Sequence, residues 1–258
     1  MTESSRELDA TPSRLTIREG VAVLTMDSPP VNALSESLIE GVGEHVDRAA
    51  GEAVGVLIIR SASPTFFGAG GDLRFFEGAT ADEFGNYLHN VRRLMDQIES
   101  FPCPTVACID GAALGGGLEL ALACDIRFLG HKATLALPEV SLGLLPGAGG
   151  TQRLTKAVGR QRALDLMLSG RRIDAATAAE WGLGRLCTDP GAEAHSWAEI
   201  VASQPRPAVE AIRQCVAVAG TSFGPDLELA SIRELFSSTH TRDLISAFMS
   251  ARRSTDPR

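Results

Sequence analysis

The chain has 258 residues, 44% of them apolar and 22% charged, with a formal net charge of −8. That composition supports one large packed domain, or a domain with an appendage, and excludes a disordered chain. The acidic balance argues against a basic nucleic-acid-binding face, and no apolar run approaches the ~20 residues that a membrane span needs.

Only Lys132 and Lys156 are lysines; all other basic residues are arginines. Five cysteines (Cys103, Cys108, Cys124, Cys187 and Cys215) make an odd count without a CxxC pair, and the five histidines are scattered. Neither a disulfide framework nor a metal site is expected, and a reducing cytoplasmic location fits this usage. The opening "MTESSRELDATPSR" is polar and carries acids, unlike a signal or transit peptide.

In chain order, residues 1–13 read as a tail. "VAVLTM" (21–26) reads as a strand stopped by the turn signal "DSPP". Leu38, Val42, Val46 and Ala49 recur at helical spacing behind Ser35, a candidate N-cap. "VGVLIIR" (54–60) is continuously apolar, as a strand buried on both faces should be. "SPTFFGAGGDL" (63–73) reads as a glycine-rich loop.

Thr80 and Glu83 predict a capping box, followed by a helix with Phe84, Leu88, Val91, Met95 and Ile98 on one face. "TVACID" (105–110) and "IRFLG" (126–130) predict further strands. Helices are expected over 151–158, 161–169 and 174–181, then three or four more after Gly191. Strands alternate with helices up to about residue 150 and only helices are expected beyond, which predicts an α/β body with a helical C-terminal segment.

Glu119 stands inside "GLELALA" (117–123), a helix with no polar face. A carboxylate there must be paired, protonated or solvated by a cavity. A solvent-facing position, a buried ion pair and a functional acid are the three readings. The preceding Gly115–Gly117 would give backbone N–H donors at a helix start, beside an acid that handles protons. The alternative is that these glycines allow tight helix–strand packing. The segment does not fit GxGxxG, and "PGAGGTQR" (146–153) lacks the GK[ST] of a phosphate loop. A second acid, Glu139, stands among apolar residues just before that glycine-rich segment.

The blocks "VNALS" (31–35), "FFGAGGDL" (66–73), "IDGAALGGGLELALACDIR" (109–127), "LPEVSLGLLPGAGGTQRL" (137–154) and "LSGRRIDAATAAEWGL" (168–183) occur in order along nearly the whole chain. Together they resemble the crotonase superfamily, closest to the enoyl-CoA hydratases.

The resemblance implies an α/β fold of repeated ββα units wound as a spiral over residues 14–195. It implies a C-terminal helical trimerisation segment over 196–258, and a homotrimer or homohexamer. It further implies an acyl-CoA thioester substrate, with coenzyme A part of the substrate and no separate cofactor or metal. Glu119 and Glu139 match the two catalytic glutamates of the hydratases. Ala69 and Gly116 match the oxyanion-hole donors. Gly70, Gly71, Asp72 and Leu73 match the loop along the acyl-CoA, and Ala33 an early CoA contact. Neither nucleic acid nor membrane is an expected partner.

Several positions depart from the family pattern around the CoA adenine and phosphates: Ser28, Asp243-Leu244, Ala251 ahead of Arg252 and Arg253, and the short tail "STDPR". Arg74 stands where a lysine is common. Phe66, Phe67, Phe75, Phe76 and the 77–95 segment are expected to wall the acyl group. Hydration of a 2-enoyl-CoA is the expected reaction. A double-bond isomerase, which uses one acid, and a non-catalytic acyl-CoA- or RNA-binding homologue are the competing readings.

Overall fold

The computed structural model describes residues 12–255. The chain opens with β1 (Ser13–Arg18), β2 (Val21–Met26), β3 (Ala33–Leu34) and α1 (Glu36–Gly51). It continues through β4 (Val56–Ser61), β5 (Phe66–Gly68), β6 (Gly70–Gly71), α2 (Leu73–Gly78) and α3 (Ala81–Glu99). Next come β7 (Thr105–Ile109), β8 (Ala112–Leu114), α4 (Gly116–Ala123), β9 (Ile126–Leu129) and β10 (Thr134–Ala136), then a 3-10 turn at Glu139–Leu142. The remainder is α5 (Gly150–Ser169), β11 (Ile173–Asp174), α6 (Ala175–Glu180), β12 (Arg185–Leu186), α7 (Pro190–Ala202), α8 (Arg206–Ala217), α9 (Gly224–Ser237) and α10 (Thr239–Thr255).

The same unit recurs: a strand, a second strand, then a helix. It is seen in β4–β5–α3, β7–β8–α4 and β9–β10–α5. First strands join a six-stranded sheet in the order β1-β2-β4-β7-β9-β12, while second strands join a four-stranded sheet in the order β11-β10-β8-β5. Only the β1–β2 pair of the large sheet is antiparallel. This is the winding expected of repeated ββα units.

The inner strands β2, β4 and β7 of the large sheet are buried on both faces, which is why they read as continuous apolar runs. Leu24, Leu57, Ile59, Ala107 and Leu129 face the main core with residues of α1, α3 and α4. Val21, Val56, Ile58, Val106 and Phe128 face the opposite way, against Ala194 and Ala198 of α7. Ser35 caps α1 and the Thr80–Glu83 capping box starts α3, as their sequence signals predict. On α3 the buried face is centred on Tyr87, Val91, Leu94, Met95 and Ile98, and Phe84 and Leu88 lie at its margin.

Four expectations need correction. A strand, β1, starts at Ser13 where a tail was expected to end. Its Leu15 and Ile17 alternate with polar residues on the sheet edge, a weak period-two signal. The 63–73 loop contains β5 and β6. Two strands follow residue 150: β11 extends the small sheet beside β10, and β12 extends the large sheet beside β9. Each is only two residues long, too short for a periodic pattern. The two expected helices at 151–158 and 161–169 form one run broken at Gly159, whose φ is 79°.

The chain divides into two compact units, with the boundary between Ser203 and Gln204. The first includes α7, so residue 195 lies inside a helix that packs on the large sheet. The second unit holds α8, α9 and α10. Neither α8 nor α9 has a buried residue, and Ile212, Val216, Ile232, Phe236 and Phe248 are all exposed. No helix among the described residues is long and apolar enough to cross a membrane. The expected tail up to residue 11 and the "STDPR" end lie outside the described residues or their described side chains.

Candidate active site

α4 carries Glu119, and its ends are fixed by named contacts. At the C-terminal end, the Arg127 guanidinium donates to the Cys124 carbonyl at 2.7 Å and to that of Ala121 at 3.3 Å. Its Nε also donates to the Leu183 carbonyl. A cation is favourable at this pole of a helix. Asp125, just beyond, accepts from the Thr105 N–H at 2.8 Å and from Thr105 Oγ1 at 3.0 Å, tying α4 to β7.

At the N-terminal end, Gly117 packs against the Gly68 backbone so closely that any β-carbon would collide with the Gly68 carbonyl. The packing reading of the glycine triplet therefore holds at Gly117. Gly116 is the first residue of the helix, where N–H groups have no partner within the helix.

Glu119 is buried, with 3% of its surface exposed. The solvent-facing reading is excluded. Its Oε1 accepts the N–H groups of Ala148 and Gly150, each at 2.8 Å. Burial raises its proton affinity above the ordinary range. The two N–H donors and the Arg153 charge oppose that shift by favouring the ionised form. Sequence reasoning linked Glu119 to Gly115–Gly117 and missed Ala148 and Gly150. The signal was present in "PGAGG", a segment able to present its backbone closely.

Glu139 opens the 3-10 turn and comes to the same place. Its Oε1 lies 3.1 Å from the position that a β-carbon on Gly115 would take. Its Oε2 is buried with no hydrogen-bond partner among the described residues. Burial pushes its carboxyl up to about 7, its own backbone N–H opposes this, and the neighbouring Glu119 charge adds to it. Two carboxyls thus share one site: one held by two N–H groups, the other less well satisfied. Groups coupled in this way titrate as a pair.

The glycine-rich segment joins them through backbone pairing. Ala33 and Leu34 of β3 pair with Gly70 and Gly71 of β6. Asn32, buried at φ 50°, fixes this crossing: its Nδ2 donates to Ser61 Oγ at 2.7 Å and to the Phe67 carbonyl at 3.2 Å. The Gly70 Cα lies 3.6 Å from the position a β-carbon on Gly116 would take.

One expectation fails here. The Ala69 N–H donates to the Val31 carbonyl at 3.0 Å, so this donor is already committed to the backbone. The backbone lying against Gly116 is that of Gly70. Asp72 caps α2 by accepting the Arg74 N–H at 3.1 Å, and Leu73 and Arg74 are exposed. Phe67 is a core residue, whereas Phe75, Phe76, Phe84 and Tyr87 form an aromatic group beside Gly71. The buried Tyr87 hydroxyl donates to the Leu34 carbonyl at 2.8 Å.

Comparison with known proteins decides the family. The profile described as enoyl-CoA hydratase/isomerase matches residues 16–252. The chain belongs to the enoyl-CoA hydratase/isomerase family. It is similar to a probable enoyl-CoA hydratase of Bacillus subtilis (strain 168), with 37% identity over 93% of this chain and 96% of the relative. It is 35% identical to the enoyl-CoA isomerase/hydratase fer4 of Mycosarcoma maydis, over 91% of each. A probable mitochondrial enoyl-CoA hydratase 2 of Arabidopsis thaliana is 41% identical over 72% of this chain, which spans only 62% of that relative. Among solved structures, an enoyl-CoA hydratase from Bacillus anthracis superposes with a TM-score of 0.88 at 30% identity, covering 93% of this chain and 96% of the other. The fold is the crotonase fold, and family members with this architecture act in the chemistry of enoyl-CoA thioesters.

Proposed function

We propose that the protein is an enoyl-CoA hydratase, adding water to a 2-enoyl-CoA thioester to give a 3-hydroxyacyl-CoA. The observation that carries this reading is the meeting of Glu119 and Glu139 beside the first residues of α4. Glu119, held by two N–H donors, is the better anion and takes a proton from water as the water oxygen bonds to Cβ. The alkene electrons then move onto the thioester oxygen as an enolate. Glu139, whose carboxyl is pushed up to about 7 and so keeps its proton in a substantial fraction of molecules near neutrality, delivers a proton to Cα. The product has gained one water, and proton exchange between the carboxyls and solvent resets the pair.

The enolate oxygen needs preorganised donors. Gly116 is one, at the start of α4. We assign the other to the Gly70–Asp72 backbone facing it, in place of the Ala69 N–H, which is bonded to the Val31 carbonyl. Losing one such donor typically costs about 10²–10³ in rate. The chemistry requires neither a metal nor a redox carrier. The exposed apolar residues of α8–α10 support self-association as a trimer or hexamer.

Isomerisation of a 3-enoyl-CoA is the second reading, because one relative bears both activities in its name. The presence of two acids favours hydration. The test is a panel of 2-enoyl- and 3-enoyl-CoA thioesters of graded chain length. Loss of the conjugated absorbance of the 2-enoyl series supports hydration. Turnover of the 3-enoyl series alone overturns it.

A further inference from the structure

Glu119 Oε1 receives both of its hydrogen bonds from one turn, Ala148–Gly150. That turn is not rigid by composition. Gly149 has φ 104°, and α5 begins immediately after it without a side-chain cap. What holds it is Arg153. Its Nη1 donates to the Ala148 carbonyl at 2.8 Å, so Ala148 is gripped at both ends: N–H by Glu119, carbonyl by Arg153. The guanidinium fills the space beside Gly149 that a β-carbon there would need.

The same guanidinium reaches across to α3. Its Nη2 lies 2.9 Å from Asp96 Oδ1 and 2.7 Å from Glu99 Oε2, and its Nε donates to Glu99 Oε2 at 3.1 Å. Only 11% of the Arg153 side chain is exposed. A planar fork that meets one carboxylate with two donors is more firmly oriented than a single-point ion pair.

We infer that Arg153 is a positioning residue for the reaction: braced by Asp96 and Glu99, it fixes the Ala148–Gly150 turn whose N–H groups orient the Glu119 carboxylate. This rests on the reading of Glu119 as the base. Arg153 acts through the turn and through its charge. The charged and titratable groups facing Glu119 are Arg153 from α5, Glu139 from the 3-10 turn and Tyr87 from α3, with Asp96 and Glu99 of α3 acting on Arg153. Of these, the Arg153 charge favours the ionised Glu119.

The test compares wild type with Arg153→Gln, Arg153→Lys and Glu119→Gln, measuring kcat, KM and the pH profile of hydration. Arg153→Gln should lower kcat about 10- to 100-fold, as misplacement of a reacting group from a distance does, with KM nearly unchanged. Loss of the positive charge raises the proton affinity of Glu119, so the acid limb of kcat/KM should move to higher pH. Arg153→Lys keeps the charge and should return that limb toward wild type, while kcat stays partly reduced because one ammonium cannot reproduce the fork.

A purely structural arginine would lower thermal stability without moving the acid limb. A folded Arg153→Gln enzyme with wild-type kcat and limb, alongside an inactive Glu119→Gln, overturns the inference and leaves the hydratase reading standing. A fully active Glu119→Gln overturns both. Should Arg153→Gln not fold, the Asp96→Asn/Glu99→Gln double variant decides: reduced kcat at constant KM supports the brace, and wild-type kcat overturns it.

Discussion

Glu119 Oε1 and the Gly150 N–H meet at 2.8 Å, joining the acid of α4 to the first residue of α5 across 31 positions of sequence. A β-carbon at Gly150 would lie 2.9 Å from that oxygen and 2.8 Å from Pro146 Cβ. Gly150→Ala should therefore displace the carboxylate and lower kcat by about 10²-fold. Overpacking should also destabilise the fold by about 1–3 kcal/mol. Steady-state kinetics and denaturant titration read the two effects separately.

Replacing Glu139 should give a pH-dependent gain in stability. Its carboxyl rises from 4.5 to about 7 in the folded chain. Between these values the folded state holds the proton more firmly than the unfolded state, so stability falls as pH rises, and the cost is complete above about 7. Glu139→Gln removes that cost. After allowance for partial exposure of this side chain, the variant should be about 1–2 kcal/mol more stable than wild type at pH 8 and indistinguishable from it near pH 4. Denaturant midpoints at the two pH values measure this.

Asp125 should be important to the fold rather than to the chemistry. It accepts both the N–H and the hydroxyl of Thr105, a fully buried residue. Asp125→Ala leaves those donors without their acceptor and should cost about 1–3 kcal/mol. The KM of the folded fraction should not change.

The C-terminal unit makes a prediction about assembly. Ile212, Val216, Ile232, Phe236 and Phe248 are exposed across its three helices, more apolar surface than a soluble monomer ordinarily leaves open. Light scattering at micromolar concentration should give the mass of a trimer or hexamer. A stable monomer would contradict it.

How much of this was legible in the sequence follows from what kind of signal each part leaves. The inner strands β2, β4 and β7 announce themselves because both their faces are buried, and α1 and α3 because their caps are chemical signatures. β11 and β12 leave no signal because two residues carry no period. Glu119 and Glu139 are conspicuous as acids in apolar surroundings. Their supports are not: Ala148 and Gly150 act through backbone N–H groups, which any residue but proline possesses. Only folding shows that the Ala69 N–H is committed to Val31, since a backbone pairing across 38 positions depends on the path of the whole loop. Arg153 was legible as a residue and not as a brace, because Asp96 and Glu99 lie more than 50 positions away.

The central claim is that Glu119 and Glu139 act as one proton-handling pair. The most direct measurement is the hydration rate of a 2-enoyl-CoA thioester by wild type, Glu119→Gln, Glu139→Gln and the double variant, with acyl-CoA affinity measured alongside. Each single change should lower kcat by about 10²–10⁴. The double should lose far less than the product of the two, because groups acting as a unit are not additive, and affinity should persist. Hydration by Glu139→Gln at the wild-type rate would contradict the account.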